Sequence, residues 1–533
     1  MLLKNLLLYF HTLRHLKPIQ IYRRLIFNFY KPSLNLKCQV ILHNQQKKII
    51  NPINKLISKI DKNNYKFLNQ IHDISSSSVW DDHKIDKLWL YNLHYFNHYD
   101  ENLIIRWIQE NPPAKGIGWE PYPTSLRIVN WIKQYLTGRS FPQEALDSLF
   151  IQARWLVKRL EWHLLANHLF ANAKALVFAG LFFSDTEANN WLNRGIKIIN
   201  QQLKQQILHN GSHFELTPMY HAIILEDMLD LINIMHVYNY PVPNDWFDLI
   251  TKMFSWLNYM SHPDGKIAFF NDTTFNVASS TDELINYAQN LKITTKVNNM
   301  VKPINYYRLT KDRITLIADV GEIGSDYQPG HAHADTLSFE LSIDQQRVLV
   351  NSGISSYKIG REREYQRGTS AHNTVTIDDI NSSEIWSSFR VARRANIVKK
   401  SFNENEIYCI LSASHNGYIH LKGKPKHQRT WKLNNKQLVI TDNIIGKYKH
   451  NVKIYFHFHP NIKLVKINNN CVEIRNLSDN KLAELISSNQ VKLAIKNDNY
   501  FPEFGKSVAN KTIVIEKYDK LPLEITTRLI LAE

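Results

Sequence analysis

The spacing of apolar residues changes once along the chain, near residue 305. Between about residues 100 and 300, apolar side chains recur every three or four positions, as in ALDSLFIQARWLVKRLEWHLLANHLFANAKALVFAGLFF, where no proline interrupts the pattern. This period is that of an α-helix, in which residues three and four apart share a face. Short polar breaks such as NYPVPND separate further segments of the same kind. The pattern therefore predicts an array of helical hairpins.

Beyond residue 305 the apolar runs are short and rich in Val, Ile, Thr and Tyr. Examples are RITLIADVGEIG, TLSFELSI, RVLVNSG and KTIVIEKYD, with Asn, Asp and Gly between them. Short runs with such boundaries are typical of β-strands joined by tight turns. They predict an antiparallel all-β domain arranged as a sandwich. The predicted fold class is therefore α+β and multidomain, with helices first and strands second.

The length of 533 residues also indicates more than one hydrophobic core. We predict a basic helical extension over residues 1–100 that packs on the helical domain, the helical domain itself over 101–304, and the β-domain over 305–533. The chain begins MLLKNLLLYFHTLRHLKPIQIYRRLIFNFYKP, whose apolar runs are too short to cross a membrane. Basic residues interrupt any signal-peptide core. Amphipathic basic helices are expected there, either packed on the protein or lying on a membrane surface.

The formal net charge of +17 predicts a polyanionic partner, which could be nucleic acid, an anionic membrane or an acidic polysaccharide. No zinc-finger spacing or basic-aromatic motif is present, which argues against nucleic acid. Cys38, Cys409 and Cys471 are far apart and odd in number. Neither a disulfide framework nor a cysteine metal cluster is therefore expected.

Candidate chemistry begins in the stretch GHAHADTLSFELSI, where two histidines and an aspartate occupy alternate positions. Alternate residues of a strand share a face, so His331, His333 and Asp335 would lie on one side with Leu337 and Phe339. The apolar pair belongs in a core. The three polar residues are therefore expected where that face meets an edge or a cleft.

Three further segments carry polar groups that apolar packing does not explain. In NHLFANAKAL, Asn167 and His168 interrupt an apolar helix, although asparagine is a poor helix former. In GSHFELTPMYHAI, Glu215, Tyr220 and His221 flank a proline at a predicted helix start. The third segment, RGTSAHNTVTIDDINSSEIWSSFRVARRA, supplies His372, Asn373, Glu384, Trp386, Arg390, Arg393 and Arg394.

Together these segments resemble the heparinase II/III family of polysaccharide lyases. The matching stretches are NHLFANAKAL, ELTPMYH, HAHADTLSFEL, VLVNSG, RGTSAHNTVTIDD and SSEIWSSFRVARRA, in the family's order. The resemblance implies an N-terminal (α/α) toroid of helical hairpins followed by a C-terminal antiparallel β-sandwich. It also implies β-elimination at a uronic acid of an acidic polysaccharide. That reaction neutralises the carboxylate, removes the C5 proton and protonates the departing O4.

The resemblance assigns these tasks to particular residues. Asn167 and His168 would bind the carboxylate, Tyr220 would act as acid and also as base, and His331 would neutralise charge or take the proton. A free tyrosine titrates near pH ~10, so Tyr220 would need cationic neighbours to act as a base. The residues implied in substrate binding are Glu215, Arg367, Glu384, Trp386, Arg390 and Arg394, with Arg393 beside them.

The resemblance further implies one structural divalent ion, zinc or calcium, and no organic cofactor. His333 and His372 match metal-binding positions, and Asn351 stands where some relatives have an acidic residue. An amide oxygen is a weaker zinc ligand than a carboxylate, so this departure weakens the expected site.

Two other functions stay open: a polyanion-binding or assembly protein without turnover, and a glycoside hydrolase on a helical toroid. Heparan-like chains and bacterial capsule or exopolysaccharide uronans are both candidate substrates. The resemblance implies the periplasm or cell envelope, whereas the lack of a recognisable export signal favours the cytoplasm.

Overall fold

A computed structural model of the protein describes residues 2–295, 304–488 and 490–532. Its helices all precede the main β-region, apart from one short helix. They are α1 (Leu2–Leu13), α2 (Pro18–Phe29), α3 (Lys87–Tyr95), α4 (Glu101–Glu110), α5 (Pro121–Leu136), α6 (Gln143–Leu156), α7 (Ala166–Phe182), α8 (Thr186–Gln206), α9 (Pro218–Val237), α10 (Asn244–Tyr259), α11 (Thr281–Asn290) and α12 (Arg361–Arg367).

The helices from α3 to α11 form two layers. In the inner layer α3, α5, α7, α9 and α11 contact one another in chain order, while α8 packs on α7 and α10 packs on α9. The inner helices α7 and α9 are buried on nearly all sides, whereas α8 buries one face and exposes the other. A helix that is apolar all round must be enclosed by others, which explains the absence of a polar face in α7. The predicted array of helical hairpins is thus confirmed.

The strands follow in the order β1 (Asn64–Phe67), β2 (Gln70–Asp73), β3 (Tyr306–Lys311), β4 (Ile314–Asp319), β5 (Phe339–Ile343), β6 (Gln346–Leu349), β7 (Val375–Ile377), β8 (Ile385–Trp386), β9 (Arg390–Val391), β10 (Ile397–Glu404), β11 (Tyr408–His415), β12 (Lys426–Asn434), β13 (Gln437–Ile445), β14 (Lys449–His457), β15 (Ile462–Lys466), β16 (Cys471–Asn476), β17 (Lys481–Ser487), β18 (Lys492–Glu503), β19 (Lys506–Lys520) and β20 (Leu523–Leu531).

These strands build antiparallel sheets that share one core. An eight-stranded sheet has the order β10-β11-β12-β13-β20-β17-β16-β15, and two four-stranded sheets have the orders β18-β19-β14-β7 and β3-β4-β5-β6. Burial alternates strictly along β11 to β13, as expected for strands with one face on a core. Leu341, Trp431 and Ile515, from three different sheets, lie in the same apolar cluster. The predicted antiparallel sandwich is confirmed.

The structure differs from the sequence prediction in the stretch that holds the histidines. Strand β5 begins only at Phe339, and residues 331–338 are irregular. Leu337 has a positive φ of 63°, which a strand cannot accommodate. The predicted alternation from His331 onward is therefore wrong, because this turn ends the period of two before the core strand begins.

The first hundred residues are also less helical than predicted. The second of the two N-terminal helices, α2, ends at Phe29, and the chain from residue 31 to residue 63 contains no helix. Strands β1 and β2 then form a hairpin. Trp89 of α3 is fully buried in the core of the helical domain, so that domain begins before residue 101. Within the described ranges, no helix is both long and apolar enough to cross a membrane.

Candidate active site

A large cleft lies between the helical domain and the sandwich. Its volume is about 1550 Å³, and both domains line it. Asn167, His168 and Tyr220 enter from the helical side, and His331 and Tyr357 enter from the sandwich side. Residues predicted from separate segments of the sequence are therefore brought together in one cleft.

His331 is oriented by a carboxylate behind it. Its Nδ1 lies 2.6 Å from Oε2 of Glu215, and Glu215 is almost fully buried. Because a carboxylate accepts, Nδ1 carries a proton, and the contact therefore favours the tautomer whose lone pair is on Nε2. Glu215 does not line the cleft, so its expected role in substrate binding needs correction: it positions His331.

Tyr220 lies flat against His331. The two ring centroids are 3.9 Å apart and the planes differ by 16°. The Tyr220 hydroxyl is 3.0 Å from the hydroxyl of Tyr357. Burial raises the pKa of Tyr220 well above its ordinary value, and the neighbouring Tyr357 raises it further. Tyr220 is therefore a neutral phenol that can donate a proton.

Backbone strain occurs in three of the segments that carry site residues. Leu165, Leu216 and Leu337 have φ values of 63°, 58° and 63°, in the region that residues with a Cβ rarely adopt. Leu165 comes two residues before Asn167, and Leu216 follows Glu215. Such conformations cost about 1–3 kcal/mol each and are concentrated at functional sites. The fold therefore holds the site residues in positions that local propensity alone would not give.

Asn167 stands in the first turn of α7 with an unsatisfied oxygen. Its Oδ1 is buried and has no hydrogen-bond partner among the described residues. Burial raises the pKa of Tyr122, and a hydrogen bond with the Asn167 side chain opposes that rise. A half-turn of the amide would let the Tyr122 hydroxyl donate to Oδ1 and turn the amide N–H groups to the cleft. In that orientation Asn167 can donate to a carboxylate.

His168 lies on the wall of the cleft beside a carboxylate that favours its charged form. Its Nδ1 lies 3.1 Å from Oε1 of Glu161, and Glu161 is fixed by a 3.0 Å hydrogen bond from Asn172. Burial disfavours the charged ring, but the Glu161 carboxylate outweighs this effect and the pKa of His168 is raised. The ring also packs on Tyr122 at 4.5 Å between centroids. An imidazolium here can attract a carboxylate in the cleft.

A row of buried ion pairs extends from this wall deeper into the cleft. Lys174 contacts Asp227 and Asp230, each at 2.6 Å, and Lys133 also binds Asp230. Burial raises the pKa of Asp227, against the pull of Lys174. These charges compensate one another locally. The row therefore offers polar anchoring points rather than a net charge.

The cleft as a whole is only weakly basic, although the net charge of the chain is +17. Ten Lys or Arg and eight Asp or Glu residues line it, and several of these are paired. The lining cations without an ion pair to any described residue are Arg24, Lys66, Lys84, Lys358 and Arg390. The charge of +17 therefore lies mostly outside the cleft.

Two of the arginines predicted to bind substrate do line the cleft. Arg390 is exposed, and its guanidinium lies 4.6 Å from the ring centroid of Trp386. Arg394 is nearly buried, and Asp326 holds it at 3.2 Å. Of these two arginines, Arg390 is therefore the one that a ligand can reach more freely.

Other predicted binding residues lie elsewhere. Arg367 is fully buried and donates only to backbone carbonyl oxygens. Glu384 forms a 2.9 Å ion pair with Arg393, and neither lines the cleft. Trp386 donates from its indole N–H to Oγ1 of Thr12 at 3.1 Å. These residues support the loops around the cleft, which explains their density in one segment.

The predicted metal ligands face one another behind His331. His333 Nδ1 and His372 Nε2 are 3.1 Å apart. Their other nitrogens lie 2.8 Å from the Asp272 carboxylate and 2.7 Å from the Gly368 carbonyl, both acceptors. If these outer nitrogens carry the protons, the two facing nitrogens, His333 Nδ1 and His372 Nε2, both have lone pairs and repel each other. Either an additional proton or a metal ion between the two rings would remove that repulsion.

This arrangement fits a two-histidine ion site, because ligating histidines donate their second N–H to a carboxylate or carbonyl. Asn351 can add only an amide oxygen, which already accepts a 3.3 Å hydrogen bond from the Asn373 N–H. No group of three His, Cys, Asp or Glu suited to a metal occurs in the described part of the chain. Burial lowers the pKa of His333 to about 4 and so favours the unprotonated ring.

Three residues that line the cleft, Tyr122, Tyr357 and Phe389, were not predicted from the sequence. Nor was Glu161, which binds His168 without lining the cleft itself. Tyr122 sits in an ordinary amphipathic helix, and Glu161 ends a helical run, so neither position breaks a pattern. Tyr357 lies in SSYKIGREREY, between two matching stretches, where an aromatic residue in a polar loop was a usable signal.

Two sequence profiles of one family cover most of the chain. The profile described as Heparinase II/III N-terminus matches residues 43–300, and the one described as Heparinase II/III-like, C-terminal matches residues 294–525. The heparin-sulfate lyase of Bacteroides stercoris is 24% identical over 414 residues, covering 66% of this chain and 58% of that lyase. The heparin-sulfate lyase of Pedobacter heparinus is 21% identical over 457 residues, covering 78% of this chain and 66% of that lyase. The chain thus spans less than two thirds of these relatives.

Solved structures have the same architecture. A crystal structure of heparinase III aligns with a TM-score of 0.67 and 19% identity, over 87% of this chain and 79% of that one. A heparan sulfate lyase from Pedobacter heparinus aligns with a TM-score of 0.57 and 17% identity, over 96% of this chain and 87% of that one. At these identities the likeness establishes the fold, a toroid followed by a β-sandwich.

Proposed function

The chain belongs to the heparinase II/III family, and on that premise we propose that it is a polysaccharide lyase acting on an acidic polysaccharide. The bond cleaved is the one to O4 of a uronic acid, by β-elimination. The observation that carries this proposal is the Tyr220–His331 pair, which brings a neutral phenol and an oriented imidazole together beside Asn167 and His168.

Side chains on the helical side of the cleft stabilise the negative charge on the uronate carboxylate. Removing the C5 proton places a second negative charge on the carboxylate, so the transition state needs more stabilisation than the ground state. The His168 imidazolium and the Asn167 amide supply a cation and hydrogen-bond donors at this wall. Both groups are held in advance, by Glu161 and by Tyr122, so little reorganisation is needed during the reaction.

The stacked side chains of Tyr220 and His331 carry out the two proton transfers. His331 Nε2 takes the C5 proton, the C5–H electron pair forms the C4–C5 double bond, and the C4–O4 bond breaks. The Tyr220 hydroxyl then protonates O4. The Tyr357 hydroxyl, at 3.0 Å, holds the Tyr220 hydroxyl in place for this transfer. This assignment uses the raised pKa of Tyr220, which suits an acid better than a base.

A glycoside hydrolase is less well supported, because such enzymes flank the glycosidic bond with two carboxyl groups. The carboxylates beside His168 and His331, which are Glu161 and Glu215, each bind a histidine instead. A binding protein without turnover would not need a hydrogen-bonded pair of phenols against an oriented imidazole. These two functions remain measurable outcomes of the test below.

One divalent ion between His333 and His372 is part of the proposal, in a structural role. Two imidazole nitrogens suit zinc, whereas calcium prefers six to eight oxygen ligands. Such an ion would tie the loop of His333 to the segment that carries His372. It takes no part in the proton steps assigned to Tyr220 and His331.

A screen of uronic-acid polysaccharides tests the proposed function. Heparan-like chains, bacterial capsule and exopolysaccharide uronans, and neutral glucans as controls are each incubated with the purified protein. Ultraviolet absorbance of an unsaturated uronate is then followed. We expect absorbance with at least one uronan and with no neutral glucan. Release of reducing ends without absorbance would assign hydrolysis, and binding without product would assign an inactive polyanion-binding protein.

A further inference from the structure

Helices α1 and α2 lie outside the part of the chain that matches the family, which begins at residue 43. Their inner faces are nevertheless well anchored. Thr12 accepts a hydrogen bond from Trp386 of the sandwich, Gln20 donates to the Tyr327 carbonyl at 3.1 Å, and Phe27 packs on a histidine of the helical domain at 4.2 Å. The two helices therefore have a fixed place on the protein.

Their outer faces are apolar and uncovered. On α2, Tyr22, Leu25 and Phe29 recur at helical spacing and are 46%, 56% and 83% exposed. On α1, Leu6 and Phe10 are 58% and 61% exposed. Residues three, four and seven apart share a helix face, so these are stripes rather than scattered positions. Exposed apolar stripes of this kind mark interaction surfaces.

The charge around these stripes is of one sign. The first sixty residues contain eleven Lys or Arg residues and no Asp or Glu, and the first acidic residue is Asp61. Arg14, Arg24 and Lys31 are exposed beside the apolar stripes. A basic helix with a bulky apolar face has the chemistry that binds an anionic lipid surface.

From these observations we infer that the α1–α2 pair docks the protein on an anionic lipid bilayer. The apolar stripes would enter the interface between headgroups and acyl chains, and the cations would pair with acidic headgroups. An acidic polysaccharide would use the cations but gain little from exposed Leu and Phe side chains. Leu16, Gln20 and Arg24 line the cleft, so docking places one rim of the cleft at the lipid surface.

Vesicle flotation tests this inference with the whole 533-residue chain. Vesicles of phosphatidylcholine, with or without phosphatidylglycerol, are mixed with the wild type, with Leu25→Glu/Phe29→Glu and with Ile407→Glu/Leu477→Glu. The last variant is a matched control, because Ile407 and Leu477 are 72% and 58% exposed on the sandwich. All the substituted side chains are exposed, so melting temperatures should stay close to that of the wild type, which confirms that each variant is folded.

We expect the wild type and the control to float with anionic vesicles only, and less so at high salt. The α2 variant should lose at least about tenfold in apparent affinity, because two apolar side chains leave the interface and two negative charges enter it. Absence of flotation at low salt, or equal flotation of the α2 variant, would overturn the inference. So would a dimer in lipid-free solution that the α2 substitutions abolish, since the stripe would then be an interface between copies of the chain.

Discussion

The Tyr220 ring lies parallel to the His331 ring, with 3.9 Å between the centroids, although 111 positions separate these residues in the chain. The two side chains come from different domains, α9 of the helical domain and the irregular segment before β5 of the sandwich. Their contact therefore forms only when the domains are docked. It places a phenol and an imidazole within reach of one sugar residue.

Replacing Tyr220 by phenylalanine should separate chemistry from folding. The change keeps the stacked ring and removes the hydroxyl that faces Tyr357. Stability should fall by about 1 kcal/mol or less, the value of one hydrogen bond. Turnover should fall by roughly 10²- to 10⁴-fold, the contribution of a general acid or base. Melting temperature and initial rate on the same preparation measure both effects.

Tyr418→Phe is a matched control for that variant. The Tyr418 hydroxyl is buried in the sandwich and donates to the Val375 carbonyl at 2.6 Å, away from the cleft. Its loss should cost stability and leave turnover unchanged. Near wild-type turnover in Tyr220→Phe would remove Tyr220 from the mechanism and leave the proton transfer to His331.

The cation at His168 should impose a pH dependence. Glu161 raises the pKa of His168 above the ordinary histidine pKa of about 6.5. The ring is therefore protonated below pH ~6.5 and loses its charge as pH rises through the raised pKa. The His168–Glu161 ion pair stabilises the folded state, and this stabilisation is lost over the same pH range in which His168 loses its proton. We therefore expect kcat/KM to decline on the alkaline side.

Glu161→Gln should move that alkaline decline to lower pH, because the carboxylate that favours the charged ring is gone. Glu187→Gln is a suitable control, since Glu187 pairs with Arg154 and does not line the cleft. The measurement is the pH profile of kcat/KM for the three proteins. Identical alkaline limbs in wild type and Glu161→Gln would contradict a cationic role of His168.

Substrate affinity should depend on salt through the few unpaired cations of the cleft. Arg390→Ala removes an exposed cation that lines the cleft, whereas Arg393→Ala removes one that pairs with Glu384 outside it. We expect KM to rise by at most about fivefold in Arg390→Ala, as for an exposed ion pair, and to stay unchanged in Arg393→Ala. Raising the salt concentration should weaken binding by the wild type. Salt-independent KM values would argue against a polyanionic substrate.

Metal retention should improve when a carboxylate replaces the amide of Asn351. Asn351→Asp supplies the charged oxygen that zinc prefers, but it also loses the 2.8 Å hydrogen bond to the Phe269 carbonyl. The variant should therefore melt below the wild type without zinc and regain stability when zinc is added. Metal content and melting temperature, with and without zinc, are the measurements. No zinc-dependent change in either protein would mean that His333 and His372 share a proton instead.

The sequence predicted the order of the domains because each periodicity recurs in many successive segments. The helical period persists from α4 to α10, and the alternation in β11 to β13 agrees with the burial of their residues. The segment around His331 was predicted wrongly for a physical reason. Polar and apolar residues do alternate in this part of the sequence, but the backbone at Leu337 adopts a left-handed conformation that interrupts a strand. The amino-acid composition of the segment does not reveal that conformation.

The site was only partly predictable, because the roles of several residues depend on long-range partners. Glu215 and Arg367 were expected among the substrate-binding residues, yet one orients His331 and the other binds carbonyl oxygens in the interior. Tyr357 carries no periodic signal, and its importance appears only when its hydroxyl meets that of Tyr220. The resemblance located the cleft, and tertiary contacts distinguished residues that line it from residues that support it.

The most direct test of elimination compares two products of one reaction. On the best substrate from the screen, new C4–C5 double bonds are counted by ultraviolet absorbance and new reducing ends by a chemical assay, in the same samples over time. Elimination through His331 and Tyr220 predicts one double bond for every new reducing end, and neither product with His331→Ala. Reducing ends that form without double bonds would contradict the account, because water would then have cleaved the chain.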